Sequence, residues 1–251
     1  MWTVLFPNWK NFNVLFFKEE AKDCLKRLKR DAFLLKSAKT PKSHRIFLLY
    51  YVPSRNPDLF LKLFIPRPFK KNRVKTYLKT FLELKKLDVP LLEPLFIFWE
   101  NSCFSLLKKS PFYGGIAFSY LKEGFLTFES ASKLLPDLVE FLFLLHEKGV
   151  YLRDSKFYNF YFDKSQGFKV FDLDGVKVYK HPLNKEKRLK ELATLAMTLE
   201  WEGLATARNT IWDAYSRLYP SLDQKDWLEF EKFISIKKKR REAHLKNITE
   251  L

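Results

Sequence analysis

The stretch His146–Val178, HEKGVYLRDSKFYNFYFDKSQGFKVFDLDGVKV, decides how the chain is read. Before it, an apolar helix pattern from Leu135 to Leu145 runs into Gly149, a residue type that ends helices because it takes left-handed φ without steric penalty. Val150–Leu152 then reads as extended and Arg153–Asn159 as a polar turn. Phe160–Phe162 and Phe168–Phe171 read as two short strands, joined by the hairpin signal Asp163-Lys164-Ser165-Gln166-Gly167. The pattern implies two acidic turns at neighbouring strand ends, Asp154 and Asn159 on one and Asp172 on the other.

Those residue types suit phosphoryl transfer, which needs a group to orient the attacking hydroxyl, oxygen ligands for a metal, and a lysine on the phosphates. Asp154 precedes Asn159 by five positions, and Asn159 precedes Asp172 by thirteen. This resembles the catalytic loop and metal-binding turn of the protein-kinase-like superfamily, Asp-x-Lys-x-x-Asn followed, after a hairpin, by an apolar–Asp–apolar turn. Asp and Asn also favour solvated turns for their own sake; the order of helix, strand, turn and hairpin around them is what separates the two readings. The resemblance implies Asp154 as catalytic base, Lys156 as the loop lysine, Asn159 as a metal ligand and Asp172 as the principal Mg2+ ligand. Asp174 either ligates a second metal or caps the turn with Gly175, and Lys156 either touches the γ-phosphate or is solvated. His146 reads as structural, at a helix C-terminus where the dipole favours it.

Moving outward, 251 residues bound one two-lobed domain or two small ones, and 47% hydrophobic content with 26 Phe indicates a packed core. No apolar run approaches the roughly 18 residues a membrane span needs. The opening MWTVLFPNWK lacks the basic start and cleavage site of a signal peptide, so the expected location is cytoplasmic. Cys24 and Cys103 form no CxxC or Cys/His cluster and read as free buried thiols. A net charge of +17 predicts attraction to an acidic partner.

The expected fold class is α+β, protein-kinase-like, in two lobes. Residues 1–120 form an N-terminal lobe, an antiparallel sheet with one helix. Residues 121–251 form a mostly helical lobe with a small catalytic hairpin. Strand-like runs occur at Ala32–Leu35, Arg45–Val52, Leu59–Phe64, Leu95–Trp99, Cys103–Leu107 and Ile116–Leu121, with strand or cap segments in residues 1–17. Helices are read at Lys18–Arg30, Val74–Leu87, Ser130–Lys148 (capped by Ser130 or Ser132), Lys185–Trp201, Arg208–Tyr219 and Asp223–Lys246. In Leu59-Phe60-Leu61-Lys62-Leu63-Phe64 one lysine interrupts an apolar strand. It is either a phosphate-binding ammonium or an edge-strand lysine turned to water. Tyr120-Leu121 read as a hinge whose backbone meets an adenine edge. The run Lys237-Lys238-Lys239-Arg240-Arg241 reads as a solvated face or tail, with contact to a membrane surface or an acidic substrate as the alternative.

With the lobes in this order, the chain resembles the bacterial lipopolysaccharide core kinases, the heptose and Kdo kinases. The carrying residues are Phe60-Leu61-Lys62, Leu87-Asp88-Val89-Pro90, Tyr120-Leu121, Leu145–Val150 with Asp154 and Asn159, Lys169–Asp174, and Arg188–Ala193. The resemblance implies ATP and Mg2+ as cofactors, with Lys62 on the phosphates and Tyr120 and Leu121 on the nucleotide. It further implies transfer to an acidic glycolipid or sugar acceptor, and peripheral contact with the anionic inner membrane through basic patches. The chain departs from the kinase pattern in having no glycine before Gly114, Lys36–Arg45 standing where a glycine-rich loop is expected. Tyr77 stands where a helix Glu is expected to pair Lys62. Two other classes compete: a phosphotransferase for a small alcohol, and a binding module, either a catalytically weak kinase-like protein or a basic nucleic-acid binder. Most of the aromatics occupy core-like positions, which disfavours nucleic acid as partner.

Overall fold

The computed structural model describes residues 12–30, 34–39, 44–50, 59–65, 72–100, 113–119 and 124–249. They belong to two compact units, Met1–Lys79 with Glu93–Lys122, and Thr80–Leu92 with Glu123–Leu251. The fold is mixed α and β, with an antiparallel sheet in the first unit and mostly helices in the second.

In the first unit, β1 (Phe12–Phe16), β2 (Leu34–Lys39), β3 (His44–Tyr50), β4 (Leu59–Phe64), β5 (Phe96–Glu100) and β6 (Gly114–Ser119) form one sheet in the order β1-β5-β6-β4-β3-β2. Every pairing is antiparallel. Of the first expected run, Ala32 and Phe33 lie outside the described residues, and the described strand extends beyond Leu35 to Lys39, where it pairs with β3. Both helices read from the sequence within residues 1–120 are present. The helix α1 (Glu20–Arg30) buries Ala21 and Leu25 against Leu59, Leu61, Leu63, Phe96, Phe98 and Ala117. The helix α2 (Arg73–Lys86) begins on the other face, where Val74 reaches Gly114. Gly115 permits the strands' close approach: a Cβ there would stand 2.6 Å from Leu63 Cδ2 and 2.8 Å from the Lys62 carbonyl. The readings at Cys103–Leu107 and at Tyr120-Leu121 lie outside the described residues.

The second unit is built on α4 (Leu135–Glu147), α5 (Lys185–Trp201), α6 (Ala207–Leu218) and α7 (Gln224–Thr249). The helix expected over Ser130–Lys148 is two helices, α3 (Phe128–Lys133) and α4. Pro136 explains the break, since its ring cannot donate and clashes with the preceding turn. The cap is Thr127, not Ser130 or Ser132; Ser130 completes a capping box by accepting from the Thr127 amide at 2.9 Å. Asn184 caps α5 by accepting from the Lys187 amide at 3.1 Å. Three small elements lie between α4 and α5: a two-stranded sheet of β7 (Val150–Tyr151) and β10 (Lys177–Val178), the hairpin β8 (Phe160–Asp163) and β9 (Gly167–Val170), and a 3-10 turn at Phe157–Asn159. Among the described residues no helix is long and apolar enough to cross a membrane.

Candidate active site

Two pairings bring the two acidic turns together. The chain enters the first turn from β7 and leaves it into β8; it enters the second from β9 and leaves it into β10. Because β8 pairs with β9 and β7 with β10, residues 152–159 and 171–176 lie side by side. The Phe171 amide donates to the Asn159 carbonyl at 3.0 Å, which makes Asp172 a neighbour of Asn159. The Asn159 side-chain amide donates to the Asp154 carbonyl at 2.7 Å, so its Oδ1 is the end left to accept or ligate. Asp172 Oδ1 takes the Asp174 amide at 3.0 Å, an Asx turn that fixes the Asp172 side chain. Asp154, Asn159, Asp172 and Asp174 are all half-buried.

Lys156 lies 3.0 Å from Asp154 Oδ2 and over the Tyr158 ring. Burial opposes its charge, but the Asp154 carboxylate and the Tyr158 hydroxyl outweigh it and hold the ammonium above its ordinary pKa. Lys156 is thus an ion-pair partner of the candidate base, with its side chain 29% exposed.

Beneath the first turn lies a buried polar network. Glu191 Oε1 accepts from the Arg153 amide at 2.5 Å, and its Oε2 shares a hydrogen bond of 3.2 Å with His146 Nε2. The Ser155 hydroxyl donates to the Glu191 carbonyl at 2.7 Å. His146 Nδ1 meets the Tyr215 hydroxyl at 2.6 Å, and Arg188 spans Tyr215, the Leu183 carbonyl and Glu147. His146 is therefore structural by a different route from the one expected: it is fully buried and bridges α5 and α6 instead of capping α4. Burial pushes the Tyr215 hydroxyl pKa well up, which keeps it a neutral donor and acceptor in this network. Arg153 holds φ of 68°, a conformation that costs a side-chain-bearing residue about 1–2 kcal/mol. The Glu191 bond to its amide helps to offset that cost.

None of Glu191, Arg188, Tyr215 or Ser155 was assigned a role from sequence. The available signal was in α5, where Arg188 and Glu191 share the stripe of Leu192, Leu195 and Leu199, and charges on a core-facing stripe demand partners.

In the sheet unit, Lys62 is 5% exposed. It sits on β4 between β3 and β6, opposite Ile46 and Ile116, which overturns the edge-strand alternative. Its Nζ lies 5.7 Å from the Phe64 ring centroid, on the face opposite Leu61 and Leu63. Tyr120 and Leu121 lie outside the described residues. Asn159, Asp172 and Asp174 offer only hard oxygen donors, the set that suits Mg2+ over a softer metal. The chain matches no family model and no curated protein.

Proposed function

We propose that this protein is an ATP-dependent phosphotransferase acting on a sugar hydroxyl, with the lipopolysaccharide inner core as its acceptor class and the cytoplasmic membrane face as its place of work. The observation that carries this reading is the side-by-side placement of the two turns, which sets Asn159 beside Asp172 and ties Asn159 to Asp154. An antiparallel sheet with a buried lysine and a helix between β4 and β5 supports it. Asp154 orients the acceptor hydroxyl and takes its proton, Lys156 fixes the carboxylate, and Lys62 serves the phosphates. Asn159 and Asp172, with Asp174 beside them, would hold Mg2+, which when bound neutralises charge on the phosphate oxygens.

The test is transfer of labelled phosphate from ATP to purified core lipopolysaccharide, with thermal unfolding in Mg-ATP measured in parallel. Wild-type protein gains about 2.7 kcal/mol at a hundred times Kd. Asp154→Ala keeps that gain and loses transfer by about 10²–10⁴-fold. Asp172→Ala loses both. Equal transfer by wild type and Asp154→Ala would refute the role of Asp154. The absence of any glycine before Gly114 favours a second reading, a nucleotide-binding but catalytically weak kinase-like module. Mg-ATP stabilisation without transfer to any acceptor would select it.

A further inference from the structure

Residues 154–158 alternate between outward and inward side chains, as extended backbone does. Ser155 and Phe157 are buried, and the Ser155 hydroxyl donates to the Glu191 carbonyl at 2.7 Å. Asp154, Lys156 and Tyr158 therefore share the outer side, where all three reach solvent. Lys156 itself is extended, with φ of −73° and ψ of 145°; a 3-10 turn takes over at Phe157, and the Asn159 amide donates to the Lys156 carbonyl at 2.9 Å. Lys156 joins its two outward neighbours, with Nζ 3.0 Å from Asp154 Oδ2 and 5.6 Å from the Tyr158 ring centroid. The Phe157 ring meets the Tyr158 ring edge-on at 5.3 Å and 77°. The Tyr158 ring is thus fixed beside the candidate base, yet Tyr158 is 39% exposed.

A single exposed aromatic is ordinary on a protein surface. Tyr179, just past β10, matches Tyr158 in both exposure and chemistry: it is 36% exposed, with Lys187 Nζ 4.8 Å over its ring. What sets Tyr158 apart is that the lysine over its ring is also the lysine on Asp154. A tyrosine ring is a rigid apolar face governed by two torsions, so covering it orders little. The ammonium shared by ring and carboxylate decides which ligands can cover it. A cationic amino alcohol, the kind of ligand that seeks an aromatic face beside an open carboxylate, meets like charge here. An acyclic polyol has no fixed face to lay on the ring and loses torsional freedom in forming one. A pyranose has a rigid, uncharged C–H face with hydroxyls at its rim, and resting on Tyr158 it brings a rim hydroxyl toward Asp154.

We propose that Tyr158 is the platform on which the acceptor lies, taking one face of a pyranose ring so that its hydroxyl meets Asp154, while Lys156 turns away cationic amino alcohols. That the bound ring is an acceptor rests on the phosphotransfer reading; that a pyranose binds at Tyr158 does not.

The test is a saturation-transfer NMR titration of the full chain with methyl glucopyranoside, glucitol and choline, beside steady-state phosphate transfer to core lipopolysaccharide. Wild type binds the pyranoside at least about fivefold tighter than either of the others, the scale set by withdrawing one face of a ring from water. Tyr158→Phe retains the preference and Tyr158→Ser erases it. Tyr179→Ser, which removes an equally exposed ring under a lysine, leaves it intact. In the transfer assay Tyr158→Ser raises KM for the acceptor by at least about fivefold with little change in kcat, the mark of lost uniform binding. A wild type without the preference, a preference that survives in Tyr158→Ser, or one lost equally in Tyr179→Ser overturns the platform. Should the preference depend on Tyr158 while no phosphate is transferred, the platform stands and the phosphotransfer reading falls. Transfer whose acceptor KM is the same in wild type and Tyr158→Ser has the opposite meaning.

Discussion

The sheet unit and the helical unit differ in how much charge they bury. In the sheet, α1 closes one face with aliphatic and aromatic side chains, and Lys62 is the one buried charged side chain among the described residues of that unit. In the helical unit, the buried charges Arg188 and Glu191 come with His146 and Tyr215 in a connected set, each bonded to the next. The second pattern is architecture: charge is buried because every member finds a partner, and the assembly fixes the Arg153 backbone. The first pattern is a single ammonium on an apolar strand, 5.7 Å from the Phe64 ring, and it is the lysine that the proposed reading sets on the phosphates.

Substitutions can break that contrast. Glu191→Ala should give the largest effect, a loss of about 3–5 kcal/mol in urea unfolding, because it strands His146 and the Arg153 amide. Tyr215→Phe removes the hydroxyl between His146 and Arg188 and should cost about 1–3 kcal/mol by the same measurement. Lys62→Met should cost less than about 1.5 kcal/mol, since an apolar side chain of similar length suits that strand, while phosphate transfer is lost. If Lys62→Met destabilises as severely as Glu191→Ala, the contrast is wrong and Lys62 is structural. The smallest effect belongs to a half-buried carboxylate in the hairpin. Ser165, through its hydroxyl and its amide, lowers the Asp163 pKa to about 2, helped by Lys169 and the Gln166 amide. A depressed carboxylate pKa contributes stability above the unfolded value, about 3.9. That contribution fades as the pH falls through about 2. Asp163→Asn should accordingly flatten the wild type's loss of stability between those limits, followed by circular dichroism across the acid range.

The sequence showed most where structure is local. The bounds of α5 and β4 follow from periodicity alone, and the hairpin with its two acidic turns follows from Gly149, Gly167 and the runs of aromatics. It showed least where a side chain's meaning depends on a distant partner. Arg188 and Glu191 sit in a helix where Lys185, Glu186 and Lys190 are well exposed, and partners remote in sequence, Tyr215, His146 and Arg153, make them interior. Lys238 is hidden in the same way within a run of five basic residues, because meeting Glu200 cannot be told from facing water without α5 in place. The break between α3 and α4 was legible in principle from Pro136, but the apolar pattern continuing across it was the louder signal.

Gly149 carries one more implication. Its φ is 72°, and a Cβ there would come within 2.4 Å of the Tyr179 carbonyl, so the position admits no other residue without moving the chain. The Tyr179 amide returns to the Gly149 carbonyl at 2.9 Å, and the Leu183 amide to that of His146 at 2.9 Å. The backbone thus departs from this point and comes back to it, and everything from Val150 to Val178 is a loop tied at its neck. Asp154, Asn159 and Asp172 of the candidate site ride on that one tether, so they keep their mutual spacing, or lose it, as a set.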